Sequence, residues 1–197
     1  MKRTDVLNFV YDTDNTVIDR MRKDAFNLHD VECNQKYGDG EPYSYHLDMV
    51  FTEAVDNLHE VCPYEYHIIP ILFGALFHDA IEDARQSYND ILKRAETYMT
   101  HYQALIAAEI VYALTDEKGR NRKERGSEKH FEDIRNTKYA PFVKWCDRYA
   151  NTKYSKDVGS RMFKAYKKEM TEFVSMLGGD RYLSRKLTDK IFELAEL

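Results

Sequence analysis

His78-Asp79-Ala80-Ile81-Glu82-Asp83 follows directly on Ile68-Ile69-Pro70-Ile71-Leu72-Phe73-Gly74-Ala75-Leu76-Phe77, so four ionisable side chains stand at the end of the most apolar segment of the chain. On a helix, His78 and Glu82 are four apart, Asp79 and Asp83 four apart, and Asp79 and Glu82 three apart. Such pairs share a face. Carboxylates crowded on one turn repel one another, and burying them unpaired is costly. A bound cation removes that penalty. The run therefore reads as a metal site with catalytic carboxylates beside it, against the alternative of a helix end with solvated charges.

Upstream lies Gly40-Glu41-Pro42-Tyr43-Ser44-Tyr45-His46, and downstream Val143-Lys144-Trp145-Cys146-Asp147-Arg148-Tyr149-Ala150-Asn151. The resulting order, His then His-Asp then Asp, resembles the signature of the HD phosphohydrolase superfamily. The finer details are similar to the hydrolase domain of RelA/SpoT-type (p)ppGpp hydrolases, in particular the short single-domain alarmone hydrolases. GEPYSYH resembles their GxPYxxH motif, HDAIED their HDxxED box and VKWCDRYAN their VKLADRxxN box. ALTDEKGRNRKER, from Ala113 to Arg125, resembles the segment between the last two. The resemblance extends over residues 25 to 170 or so.

That resemblance implies an all-α, single HD-type domain over 1–197. It implies a metal, manganese, held by His46, His78, Asp79 and Asp147, with Glu82 and Asp83 carrying the hydrolytic step. It also implies that Asn151 contacts the nucleotide, that Lys118 lies near the substrate phosphates and that Tyr166 touches the nucleotide. Elementary chemistry agrees on the metal. Imidazoles and carboxylates make a mixed nitrogen and oxygen set, suited to a divalent ion with positions left for water and a phosphate oxygen. Glu82 and Asp83, one turn on, are placed to orient or deprotonate that water. Arg122 belongs to a basic run with Arg120, Lys123 and Arg125; a local cationic loop on an acidic protein steers polyanions, whereas an interrupted one is a solvated face. Departures from the resembled pattern fall at Asn34-Gln35-Lys36-Tyr37-Gly38-Asp39, where the hydrolases carry a basic pair, and at Tyr149-Ala150, where they often have a histidine. Of the first stretch only Lys36 is basic, and Tyr37 is a candidate stacking surface in place of an arginine. His29, His59, His67, His101 and His130 have no partner motif.

The remaining sequence is consistent with this reading. A chain of 197 residues that is 43% hydrophobic is long enough for a sizeable core. A net charge of −5 argues against coating duplex nucleic acid. No apolar run reaches membrane length, and the start, MKRTDVLNFVYD, lacks the apolar core of a secretory leader. Cys33, Cys62 and Cys146 are odd in number and widely spaced, as expected of cytoplasmic thiols. Cys146 reads as a small buried packing residue. The sequence carries nothing that fixes an oligomeric state.

Periodicity predicts helices from about Thr16 to Lys36, from near His46, through the apolar run and the HDxxED box together, from Ser87 toward Met99, over Ala104 to Leu114, and over Lys123 to Arg135, the last exposed. Pro141 opens a long helix bearing Asp147; further helices cover Ser160 to Leu177, stopped by Gly178-Gly179, and Leu183 to Leu197. Pro70 either opens or kinks its helix. The function expected is metal-dependent nucleotide (pyro)phosphohydrolysis, removing the 3′-pyrophosphate of (p)ppGpp-like alarmones. The alternatives are an HD phosphohydrolase of another phosphorylated nucleotide, a nucleoside monophosphate or a phosphorylated dinucleotide, or a nucleotide-binding regulatory module.

Overall fold

A computed structural model describes residues 1–12, 16–116, 120, 124, 126–179 and 182–197. Among these the chain runs through α1 (Arg3–Tyr11), α2 (Thr16–Phe26), α3 (Tyr43–Asn57), α4 (Ile68–Phe77), α5 (Ala80–Asp83), α6 (Tyr88–Glu96), α7 (His101–Leu114), α8 (Glu128–Asn136), α9 (Ala140–Asp157), α10 (Arg161–Met176) and α11 (Arg185–Leu194). The architecture is all-α, as the periodicity predicts.

The apolar run becomes the central helix. α4 buries every residue except the half-covered Ile69, and a helix that is apolar all round must sit inside. α3 and α7 pack on it, and α9 packs on α3. They contribute Leu47, Val50 and Phe51, then Ala107, Ile110 and Val111, then Phe142, Val143 and Trp145. Full burial of each large side chain is worth about 1.5–3 kcal/mol. α4 and α7 meet closely at Gly74, where a Cβ would lie 2.6 Å from Ile110 Cγ2. Trp145 Nε1 donates to the Leu187 carbonyl at 3.1 Å and ties α11 onto α9. Pro70 stands in the first turn of α4, where its missing N–H has no helical partner to lose, so it opens the helix. Pro141 does the same for α9. Ser87 caps α6 with Asp90 returning the bond, an arrangement worth about 1 kcal/mol.

Departures from the expected boundaries are local. The helix from Thr16 ends as an α-helix at Phe26 and continues as a π-helical turn, Asn27–Glu32. Beyond it Asn34 adopts a left-handed conformation, φ 48°, and a two-residue antiparallel ladder follows, Lys36 opposite Pro42 and Tyr37 opposite Glu41. Gly38 turns that ladder at φ +52°. The helix expected from His46 starts earlier, at Tyr43. The apolar run and the HDxxED box are not one helix. Asp79, at ψ 2°, breaks the path between α4 and α5. α8 starts after its Ser127 cap, the expected start at Lys123 lying outside the described residues, and it buries His130, Phe131 and Ile134, so it is amphipathic rather than exposed. Among the described residues no helix is long and apolar enough to cross a membrane.

Candidate metal centre and adjoining groove

Elements far apart in sequence deliver the expected ligands to one point. α3 supplies His46 and α9 supplies Asp147, while the break between α4 and α5 supplies His78 and Asp79. His46 Nε2 lies 3.3 Å from His78 Nε2. Asp79 Oδ2 is 2.9 Å from His78 Nε2 and 3.7 Å from His46 Nε2. Asp147 Oδ1 is 3.4 and 3.7 Å from the same two nitrogens. The backbone sets the tautomer of His78. Its Nδ1–H donates to the Ala75 carbonyl at 2.9 Å, so Nε2 faces the cluster and offers a lone pair there once its own proton is lost.

These residues fit a divalent ion. Metal–ligand bonds of about 2.1 Å place neighbouring donors roughly 3.0–3.4 Å apart; the His46, His78 and Asp79 donors lie 2.9–3.7 Å apart, and Asp147 stands 3.4–3.7 Å from the two imidazoles. The electrostatics point the same way. Burial pulls the His78 imidazole down, but the Asp79 charge and hydrogen bond outweigh it and carry its pKa up to about 9. Burial alone would raise Asp79, yet His78, His46 and the Tyr43 hydroxyl hold it well below the usual carboxylate range. Asp147 is likewise held at about 2, against burial, by His46, His78 and Lys144. Two ionised carboxylates thus demand positive charge at this buried point. A proton on His78 supplies it in the chain alone, and a cation would replace that proton.

Glu82 and Asp83 stand at the rim on α5. The peptide N–H of Asp116 approaches Glu82 Oε2 at 3.3 Å. Burial, then the Asp116 charge, raises the Glu82 pKa. Asp83 Oδ2 accepts from Gln35 Nε2 at 2.8 Å and lies 3.2 Å from the Tyr43 hydroxyl. The same hydroxyl donates to Asp79 Oδ2 at 2.5 Å, so Tyr43 links a candidate ligand to a candidate catalytic group.

A groove of about 920 Å³ opens from Asp147, with Asp116, Lys144, Arg148, Asn151 and Tyr166 among its lining residues. Lys144 Nζ lies 3.9 Å from Asp147 Oδ2 and 4.0 Å from Asp116 Oδ1. Asn151 Nδ2 donates to Asp147 Oδ1 at 2.5 Å, and its own oxygen accepts from the Tyr37 hydroxyl at 2.8 Å. A second depression, about 640 Å³, gathers Arg20, Lys23, Lys93 and Arg94. Asp24 engages Arg94 there, and Asp90 is committed to its cap, so this basic face is partly neutralised.

No family model matches the sequence, and no curated protein does. Among solved structures, the fold matches one described as a metazoan ortholog of SpoT that hydrolyzes ppGpp and plays a role in starvation responses. The TM-score is 0.63 at 21% identity, over 91% of this chain and 95% of that one. The chain has the fold of that hydrolase. At this identity the likeness is one of architecture.

Within that fold the expected residues divide. His46, His78, Asp79 and Asp147 come together, with Glu82, Asp83 and Asn151 around them, and Tyr166 lines the groove. Tyr37 is near them, but not as an open stacking platform. Its ring stacks on His46 at 4.8 Å and packs against Tyr154 at 4.8 Å. Lys36 is exposed on the ladder, and no contact among the described residues brings it to the cluster. Lys118 and Arg122 lie outside the described residues. Cys146 is fully buried and its thiol is pushed up by burial, as a packing residue should be.

Sequence reasoning did not single out Tyr43, Lys144, Asp116, Gln35 or His29. Tyr43 and Lys144 lie inside the quoted motifs and were within reach. His29 and Gln35 carry no local signal, because their partners are distant in sequence.

Proposed function

We propose that this protein is a divalent-metal-dependent nucleotide (pyro)phosphohydrolase, removing the 3′-pyrophosphate of a (p)ppGpp-like alarmone, with manganese as the ion and the cytoplasm as the setting. The observation that carries the reading is the meeting of His46, His78 and Asp79 donors at 2.9–3.7 Å, with Asp147 at 3.4–3.7 Å from the two imidazoles, beside Glu82 and a groove of about 920 Å³. Likeness of fold to a protein that hydrolyzes ppGpp supports the substrate class.

His46, His78, Asp79 and Asp147 would hold the ion. When bound, it supplies a Lewis acid for a phosphate oxygen and lowers the pKa of a coordinated water. Glu82 is suited to take a proton from the attacking water, since burial and Asp116 raise its basicity toward the working pH. Water adds to the phosphorus joined to the ribose 3′-oxygen and the bond to that oxygen breaks. The ribose oxygen leaves with a proton from solvent, and pyrophosphate is released. Lys144 is placed to balance charge on a phosphate oxygen, and Asn151, fixed by Asp147 and Tyr37, to orient the nucleotide. Lys118 and Arg122 are proposed as further phosphate contacts, Tyr166 as a nucleotide contact and Lys36 as an outer cation.

One observation favours a second reading, hydrolysis of another phosphorylated nucleotide such as a nucleoside monophosphate or a phosphorylated dinucleotide. Tyr37 is packed on His46 and Tyr154 rather than offering a cation or an open face to a base. A regulatory module that merely binds nucleotide would have no use for Glu82 and Asp83. The test is a screen of ppGpp, nucleoside monophosphates and phosphorylated dinucleotides with Mn²⁺, reading phosphate and pyrophosphate separately. Pyrophosphate and GDP from ppGpp is the expected result. Phosphate from a different nucleotide selects the second reading, and no product from any of them removes the enzyme.

A further inference from the structure

The π-helical turn Asn27–Glu32 buries His29 completely, and the ring does not point idly into the core. His29 Nδ1 lies 2.7 Å from Gln35 Oε1, and Gln35 Nε2 donates to Asp83 Oδ2 at 2.8 Å. The backbone repeats the link, with the Gln35 N–H bonded to the His29 carbonyl at 2.9 Å. The left-handed Asn34, φ 48°, turns the chain back to allow it, a conformation that asparagine tolerates better than most residues. On its flat side His29 stacks on Tyr43, centroids 4.9 Å apart and planes 12° apart. The Tyr43 hydroxyl lies 3.2 Å from Asp83 Oδ2, but its single proton goes to Asp79 Oδ2 at 2.5 Å. The hydrogen-bonded route from the buried imidazole to Asp83 therefore runs through Gln35, with the stacked Tyr43 ring beside it. Helices interrupted by a π-turn are frequently found at functional sites.

Donor and acceptor roles permit one order. A carboxylate only accepts, so the amide nitrogen of Gln35 must face Asp83 and its oxygen must face His29. His29 must then carry its proton on Nδ1. The Gln35 bond and the Tyr43 contact both fall on Asp83 Oδ2, and among the described residues no protein donor reaches Oδ1. Oδ1 is thus held at a fixed angle, presented to whatever water or substrate oxygen occupies the site.

We infer that Gln35, itself aligned by His29, is a positioning residue for Asp83: the His29–Gln35 bracket, braced by the stacked Tyr43 ring, holds Asp83 as the orienting carboxylate and leaves proton transfer to Glu82. The inference rests on the hydrolase reading for its kinetic consequence, but its structural content can be checked without turnover.

Imidazole ¹⁵N shifts of the metal-free protein should show His29 as the Nδ1–H tautomer. In Gln35→Leu they should show that tautomer mixed or reversed. A wild-type His29 protonated on Nε2, or one indifferent to Gln35→Leu, overturns the inference whether or not the protein is a hydrolase. With ppGpp and Mn²⁺, Gln35→Leu should lower kcat by about 10- to 100-fold, the usual range for a supporting partner of a reacting group. KM should stay within about twofold and metal content should be unchanged. His29→Asn, which keeps an N–H near the Nδ1 position, should retain more kcat than His29→Leu. In an Asp83→Asn background, Gln35→Leu should add little further loss, because coupled residues are not additive. Losses that multiply in full, or that fall on KM or metal content alone, overturn it. Absence of turnover by the wild type would remove the hydrolase reading and leave the tautomer measurement to decide this one.

Discussion

α4 carries a buried histidine at each end, and the two have opposite fates. His67 at the N-terminus and His78 at the C-terminus are each only 2% exposed. His67 Nδ1 meets the Tyr139 hydroxyl at 2.6 Å, with Cys62 and Lys138 nearby, and among the described residues no carboxylate pairs with it. Burial first, then the Lys138 charge, pushes its pKa down. His78 is as little exposed, though set deeper among its neighbours, and it faces Asp79 and Asp147, so its pKa rises to about 9. The helix dipole adds roughly half a charge of the matching sign at each end, disfavouring a cation at the first and favouring one at the second. Burial of a histidine therefore says little about its role. The charge that shares its cavity decides whether it is a packing group or a place for a cation.

The strongest way to break this contrast is to remove the ligands. His78→Ala and Asp147→Ala should abolish turnover and the response of the melting temperature to chelation. Metal at a hundredfold excess over Kd should stabilise the wild type by about 2.7 kcal/mol. His67→Ala should keep the chelator response intact, even if the fold is weakened. A ligand variant with full metal occupancy and an unchanged response would remove that residue from the set.

Glu82→Gln probes the rim and should act on rate alone. The expected outcome is near-normal metal content with kcat lowered by about 10²–10⁴, the span for loss of a general base. Metal lost together with activity would make Glu82 a ligand or a ligand support instead.

A smaller effect sharpens the comparison through pH. In chelated protein, the folded state keeps a proton on His78 that the unfolded state releases from about pH 6.5 upward. The stability His78 contributes is full below that point and is lost as pH rises through about 9. His67 has the opposite sign. Its folded pKa is depressed, so stability is full above the unfolded value and declines as pH falls below about 6.5. Denaturant titrations of chelated wild type and of His67→Phe and His78→Phe across this range should separate the two slopes. Equal slopes in all three would end the argument from α4.

The smallest expected change is at Tyr37→Phe, which removes one hydroxyl bond to Asn151 and keeps the packing on His46. A loss of about 0.5–1.5 kcal/mol in substrate grip, roughly 2- to 10-fold in kcat/KM, is expected from steady-state kinetics. No change would mean that Asn151 is held by Asp147 alone.

Much of this was legible in the residues because local chemistry is strong where the site is built. The apolar run could only be a central helix, and the acidic run at its end could only be tolerated with a cation or solvent. What stayed hidden depends on geometry that one-dimensional spacing does not carry. The break at Asp79 cannot be read from helical periodicity, since the His78 and Glu82 spacing satisfies a continuous helix equally well. His29 had no partner motif because Asp83, 54 positions away, is reached only through Gln35. Tyr37 looked like a stacking surface because the sequence does not show that Tyr154 and His46 pack against its ring.

The hairpin turn at Gly38 adds a historical constraint. A Cβ at that position would lie 2.1 Å from the Tyr154 hydroxyl, on a backbone already at φ +52°. A basic side chain of the sort that alarmone hydrolases carry in this stretch cannot be introduced at Gly38 in one step. Tyr154 would have to shrink first, and that change would loosen the support behind Tyr37. The order of substitution therefore matters: Tyr154 has to give way before a side chain fits at position 38. Gly38→Lys should misfold or open the hairpin in the native background and be tolerated better after Tyr154→Ala.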